Sequence, residues 1–374
     1  MTNNSRHPRV IIIGAGIAGL MIGYRFAEYG IKPIILEASR FLADGATTRN
    51  QGWLHAGGIH AQQITDLETA SRVVTQCQYG RSAILKFCSE CVEEFGLPSI
   101  ALTRNKNSVD EIENKWKNAN VFFKPIPYSD ISNYVPSIQK ASIEAAWFVD
   151  DTAIDTRILC TKLAKHIEHL GGEIVMQREI TEISKNQVIS RSLNSSTRID
   201  EGELIIISSG YNSQNIVRNF FDKELAIRYW KSHLLITERI QGANFYCIDT
   251  GQASFIHHQN KSIIGRSHDN ILCSKPSLDI IDGQDILMKN AAHQLSSCHQ
   301  EIETAKMIAC VKVDVIYRNT NSRNLDINII DIDKYVICAF PGKMTEAPYL
   351  ADNILKIYFS RMGHKVSALR PMDN

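Results

Sequence analysis

The sequence predicts an α/β fold: a doubly wound, Rossmann-like domain, interleaved with an α+β second domain on a mixed or antiparallel sheet. Two observations predict it. A β-branched run, Val10–Ile13, meets a glycine-rich turn, an apolar helix and a second strand. Two more strand-then-glycine segments, Leu204–Gly210 and Tyr335–Gly342, come far along the chain. Between them lie stretches of strand character, Ile227–Thr237 and Ser254–His258.

The first segment is the most specific. Gly14-Ala15-Gly16-Ile17-Ala18-Gly19 follows the strand, Leu20–Ala27 continues as helix to near Gly30, and Pro33–Leu36 forms a strand ending at Glu37. In such a βαβ unit Gly14 permits the tight turn, Gly16 lets the backbone approach a pyrophosphate, and Gly19 lets helix and strand pack closely. The N-terminus of the helix offers N–H groups to phosphates. An acid at position 37 suits an adenosine ribose with a free 2′-hydroxyl and argues against NADP, leaving NAD and FAD open.

Composition restricts the class. The chain has 374 residues, 44% hydrophobic and 22% charged, and 41 basic against 40 acidic side chains give a net charge of +1. A field this weak predicts no nucleic-acid partner. Nine scattered cysteines argue against a disulfide scaffold and for a reducing compartment. Cys88 and Cys91 fall within a stretch that reads as helix, Thr69–Phe95, and are expected to be structural thiols without a metal. The polar N-terminus does not have the pattern of a signal peptide, and no uninterrupted apolar run reaches about 18 residues, so a cytoplasmic protein without an integral membrane segment is expected. Peripheral membrane contact and oligomeric state stay open.

The stretch Arg49-Asn50-Gln51-Gly52-Trp53-Leu54-His55-Ala56-Gly57 resembles the R-N-S-G-x-x-H-A-G loop of the D-amino-acid-oxidase-like superfamily of FAD enzymes. That group includes glycerol-3-phosphate dehydrogenases, L-2-hydroxyglutarate oxidases, and glycine and sarcosine oxidases. The resemblance recurs at Asp150–Asp155, with Asp155 an N-cap for a helix over Thr156–Leu170, and at Leu204–Tyr211. It recurs again at Lys334–Thr345, which opens a helix through Leu355. Ser208-Ser209 and the missing second glycine of the last turn depart from the family pattern.

The resemblance implies a glutathione-reductase-like FAD domain assembled from residues 1–80, 150–225 and 326–374, with a substrate domain from 81–149 and 226–325. It implies FAD contacts from Gly14, Gly16, Ile17, Ala18, Gly19, Glu37 and Ala38, then Thr47, Thr48, Arg49, Asn50, Gly52 and His55. Gly210, Gly342, Lys343, Met344 and Thr345 complete the set. A helix starting after Lys343 would favour an anionic reduced flavin.

Oxidising a C–H bond beside an amine or hydroxyl requires a group for the N–H or O–H proton, and cations for any acidic substituent. His55 is the first candidate, as base, substrate contact or covalent flavin tether, because the resemblance sets it beside the ring. Arg318 and Lys343 are the candidate cations, with Arg266 an alternative. His60, His233, His257 and His258 read more readily as structural, and Trp53 as packing. The expected activity is removal of a hydride from the CH–NH or CH–OH group of a small amino acid, amine or 2-hydroxy acid. Oxygen or a quinone would reoxidise the flavin. A flavin-binding sensor or structural subunit without turnover is the alternative.

Overall fold

The computed structural model describes residues 9–93, 96–267, 269–316, 323, 325–363, 370 and 372. A six-stranded sheet runs in the order Asn328–Asp333, Val336–Phe340, Leu204–Ile207, Arg9–Ile13, Lys32–Leu36 and Glu173–Val175. All neighbours are parallel except the first pair. Both faces are covered, which is why the four inner strands are almost continuously apolar. Val10, Ile12, Ile35 and Ile206 face the helices Ile17–Glu28, Thr156–His169 and Ala347–Arg361. Ile11, Ile13, Ile34 and Ile205 face Val217 of the helix Ser213–Phe221. They also meet Ile183 and Val188 of a small three-stranded sheet. Arg25 is buried in the first helix and ties it to the last, its Nε donating to Asp352 Oδ1 at 2.6 Å.

The second sheet has nine strands and is mixed. Ile227–Glu238 pairs along one edge with Lys306–Val315 and along the other with Ile271–Cys273 and then Lys261–Arg266. The order continues through Ala253–His257, Phe245–Cys247, Ser99–Thr103, Ala145–Val149 and Phe123–Pro125. Its one parallel pair joins Phe245–Cys247 to Ser99–Thr103; the others are antiparallel. The cavity described below lies between the sheets.

Three helices differ from expectation; the last runs from Ala347 to Arg361, past Leu355. The one placed over Thr69–Phe95 spans Leu67–Phe87 instead, so the Cys88–Cys91 pair is not helical. A 3-10 turn, Ser89–Cys91, swings the chain so that Val92 bridges Ile154, and Asp155 N–H donates to Cys91 O at 2.7 Å. That contact, and not a break in helix propensity, ends the helix. The stretch Ile286–Cys298, which also reads as one helix in the sequence, is interrupted: one helix runs from Gln284 to His293, and a second begins at His299. Between them Ser296 bridges Ile138 of another segment. Asp155 caps its helix, accepting from Arg157 and Ile158 N–H groups.

Candidate active site

A cavity of about 1820 Å³ runs from the Gly14–Gly19 turn to the face of the second sheet. Its size exceeds the roughly 300–1,000 Å³ of an ordinary small-molecule pocket, leaving room for a dinucleotide and a substrate. At the nucleotide end, two glycines are required by packing. A Cβ on Gly14, whose φ is +107°, would lie 2.9 Å from Ser208 O, and one on Gly19 would lie 1.9 Å from Gly14 O. Gly16 differs: its hypothetical Cβ meets only Thr47 Oγ1, at 3.4 Å, on the cavity side. Glu37 closes this end, its carboxylate accepting from Ala15 and Ser39 N–H groups at 2.7 and 2.8 Å.

The loop after Gly45 holds itself in place. Asn50 donates to Thr47 O at 2.6 Å and accepts from Gly52 N–H at 2.7 Å, and Thr48 donates to Ala43 O. These side chains shape the loop. Arg49 is different, because its buried Nε has no acceptor. Gly19, Thr48, Gly52 and Thr345 stand behind the cavity wall; the other expected FAD contacts border it. Arg318 lies outside the described residues.

His55 is held at three points. Its N–H donates to Thr345 Oγ1 at 3.0 Å, its ring stacks on Trp53 at 5.9 Å, and its Nδ1 lies 3.1 Å from Asp151 Oδ1. Asp151 is buried and also accepts from Ala56 N–H at 2.7 Å and Tyr246 OH at 2.9 Å. A carboxylate so placed accepts a hydrogen bond from Nδ1–H of the neutral imidazole, which leaves Nε2 as an acceptor. Tyr246 stays a phenol, since burial raises it well above its usual value and the Asp151 charge adds to that. His60 is stacked edge-on against His55 at 4.6 Å, and burial holds it well below the ordinary imidazole range, with Lys343 adding. It is a neutral wall of the site.

Cations gather toward the second sheet, which carries Arg266 and Lys312. Arg49, Arg266, Lys312 and Arg323 border the cavity. Arg266 and Arg323, like Arg49, carry a buried Nε with no acceptor. Arg49, Arg266 and Lys312 have no ion-pair partner among the described residues. Burial pushes the Cys310 thiol up, and the charges of Lys312, Arg323 and Arg49 oppose that shift. Arg228 also borders the cavity but is neutralised by Asp314 at 3.1 Å. His233, His257 and His258 are buried and none of them borders it. Among the described residues no cluster could hold a metal ion, and no helix is long and apolar enough to cross a membrane.

Lys343 borders the cavity, yet its ammonium is engaged by Glu346 Oε1 at 2.9 Å and Leu325 O at 2.6 Å. Burial pushes the Glu346 carboxyl up to about 7, with Lys343 opposing. A carboxyl raised in the fold above its ordinary 4.5 contributes stability that is present below that value and lost as pH rises through about 7. The melting temperature should therefore decline from about pH 5 to about pH 8, and Glu346→Gln should flatten the decline. The same slope in both proteins would refute this assignment.

The sequence profile of the FAD dependent oxidoreductase (DAO) family matches residues 9–307. The chain belongs to this family. FAD is the cofactor of this oxidoreductase, and the residues present fit it: open wall at Gly16, an acid at 37 and an unpaired Arg49 guanidinium. The oxidoreductase is 24% identical over 325 residues to one of the subunits of the anaerobic glycerol-3-phosphate dehydrogenase of Escherichia coli (strain K12), covering 85% of this chain and 54% of that protein. It thus spans about half the length of the curated relatives it matches. Its fold is similar to that of glycine oxidase from Geobacillus kaustophilus, with a TM-score of 0.75, 14% identity and 98% of each chain covered. It is also similar to L-alpha-glycerophosphate oxidase from Mycoplasma pneumoniae with FAD bound. That match has a TM-score of 0.73 and 13% identity, and covers 99% of this chain and 98% of that one.

Proposed function

We propose that this FAD-dependent oxidoreductase dehydrogenates a carbon bearing a hydroxyl or amino group in a small acidic substrate, a carboxylate or a phosphate ester. The observation that carries the proposal is the pair of cavity cations Arg266 and Lys312, apart from the Arg49 assigned to FAD, without an ion-pair partner among the described residues. Burying an unpaired cation is costly, so such groups are kept where an anion compensates them. A simple amine without an acidic group would leave them uncompensated. The E. coli relative is named for glycerol-3-phosphate, which supports a phosphate ester, and the glycine and glycerophosphate named for the two similar folds both carry an acidic group.

Bound FAD supplies the hydride acceptor. His55 Nε2, presented by the Nδ1 contact to Asp151, takes the hydroxyl or amine proton, and Trp53 and Tyr246 wall the site against water. The electron acceptor is oxygen or a quinone. Nine unpaired thiols support a reducing, cytoplasmic setting.

The test is anaerobic mixing of the purified flavoprotein with glycerol phosphates, 2-hydroxy acids, amino acids and simple amines, following the visible flavin band. Bleaching by acidic substrates is expected. Bleaching by simple amines alone would overturn the acidic class, and none across the panel would favour a flavin-binding protein without turnover.

A further inference from the structure

His258 and Glu93 lie outside the cavity, and the dehydrogenation described above does not use them. Both are largely buried, with side chains 10% and 13% exposed, and the His258 ring is bonded at both nitrogens. Nδ1 faces Glu93 Oε2, and Nε2 lies 2.8 Å from the Gln51 carbonyl oxygen. A carbonyl oxygen can only accept, so Nε2 carries hydrogen. An ionised carboxylate can only accept as well. The pair therefore holds one proton more than a neutral imidazole beside a carboxylate would: an imidazolium–carboxylate, or an imidazole beside a carboxylic acid. In both forms the Nε2–H group is fixed on Gln51.

Each partner is anchored elsewhere. Glu93 N–H donates to Ala153 O at 2.8 Å, and Glu93 Oε1 accepts from Gln259 N–H at 3.2 Å. The His258 backbone closes the hairpin, its N–H donating to Lys261 O at 2.8 Å, and its carbonyl accepts from Arg239 at 2.7 Å. The held segment passes directly beneath the ring. Gly52 has φ +91°, and a Cβ there would lie 2.6 Å from Ile154 O and 3.0 Å from His258 Cε1. Gln51 is gripped on its other side too, its amide donating to Ser254 O at 3.2 Å and accepting from Ser254 Oγ at 3.1 Å. Directly downstream the chain forms the short strand Trp53–Leu54, paired with Thr152–Ala153, and reaches His55.

We propose that His258, paired with Glu93, is a positioning residue for the Gln51–His55 segment: by holding the Gln51 carbonyl it sets the backbone path that carries Trp53 and His55 to the cavity. The catalytic consequence rests on the role proposed for His55; the placement of the segment does not.

The experiment compares wild type, His258→Leu, His258→Gln and Glu93→Gln as holoenzymes. Amide hydrogen exchange is read over residues 50–56, with turnover of whichever substrate bleaches the flavin. In His258→Leu, exchange over 50–56 should rise about tenfold while residues 10–36 and FAD content stay as in wild type. Displacing a reactive group by about 1 Å can slow chemistry about 10²-fold, so kcat should fall about 10- to 100-fold with KM within about twofold. A glutamine amide can still donate to the Gln51 carbonyl, so His258→Gln should recover to within about threefold of wild type on both readouts. Wild-type exchange in His258→Leu would overturn the proposal. So would exchange rising throughout the chain with loss of FAD, or a glutamine variant as impaired as the leucine one. Should the leucine variant fail to fold, Glu93→Gln decides: freeing one side of the ring should raise exchange over 50–56 about threefold, and no change would overturn it. The exchange readout needs no substrate, so it stands apart from a panel that bleaches nothing.

Discussion

His55→Ala should slow flavin reduction by about 10²- to 10⁴-fold, the range for losing a positioned proton acceptor, while FAD retention changes less than about threefold. The two effects separate because different atoms of the residue carry them. The loop is held through the His55 N–H on Thr345 Oγ1, which alanine keeps, whereas the proton is taken by the ring, which alanine removes. Asp151→Asn tests the same geometry from behind. An asparagine can accept from Ala56 N–H but no longer presents a full carboxylate to the imidazole, so the ring loses its set tautomer. Its rate should lie between wild type and His55→Ala. Anaerobic stopped-flow reduction with the substrate found in the panel measures both variants. A wild-type rate in His55→Ala would remove the histidine from the chemistry.

What could be read from the sequence is what depends on neighbours along the chain. The Gly14–Gly19 turn is legible because its constraints are local: Gly19 meets Gly14 O within the same turn, and the acid closing the site stands at the end of the next strand. The same holds for Asp155, whose cap partners are the residues that follow it. The helix end at Cys88 is not legible, since Cys-Ser-Glu-Cys permits helix and only the distant Val92–Ile154 bridge ends it. Asp151 sits inside a recognised element, yet nothing local shows that its carboxylate reaches back to His55 and across to Tyr246. Lys343 misleads in the opposite way. It stands on the turn where the family resemblance implies a cation, but Glu346 faces it only once Met344–Glu346 coils into a 3-10 turn. Of the cation group, Arg49 and Arg266 are already named from the sequence, and Lys312 is hinted at by Val-Lys-Val-Asp-Val at 311–315, where alternate positions of an otherwise apolar strand are charged.

Lys312→Met should raise KM for the acidic substrate by about 10²- to 10³-fold with a smaller change in kcat, and should raise the melting temperature of the substrate-free protein. Both follow from one observation. Lys312 stands on Lys306–Val315, opposite Trp230 in register, and borders the cavity with no ion-pair partner among the described residues. Burial pulls its ammonium below the usual lysine range, and the neighbouring Arg323 pulls it further. Without substrate the charge is therefore a liability, and a methionine of similar length relieves it. With substrate the same charge faces an anion, and truncating one partner of a buried, hydrogen-bonded charge pair costs about 2–5 kcal/mol. A loss of this kind falls on binding the anion in ground and transition states alike, so it appears in KM before kcat. Lys115→Met, on the helix Val109–Asn118 and away from the cavity, is the control and should change neither quantity. A Lys312→Met enzyme with unchanged KM would mean that the substrate's acidic group lies elsewhere. A less stable variant with unchanged KM would mean that Lys312 serves the fold.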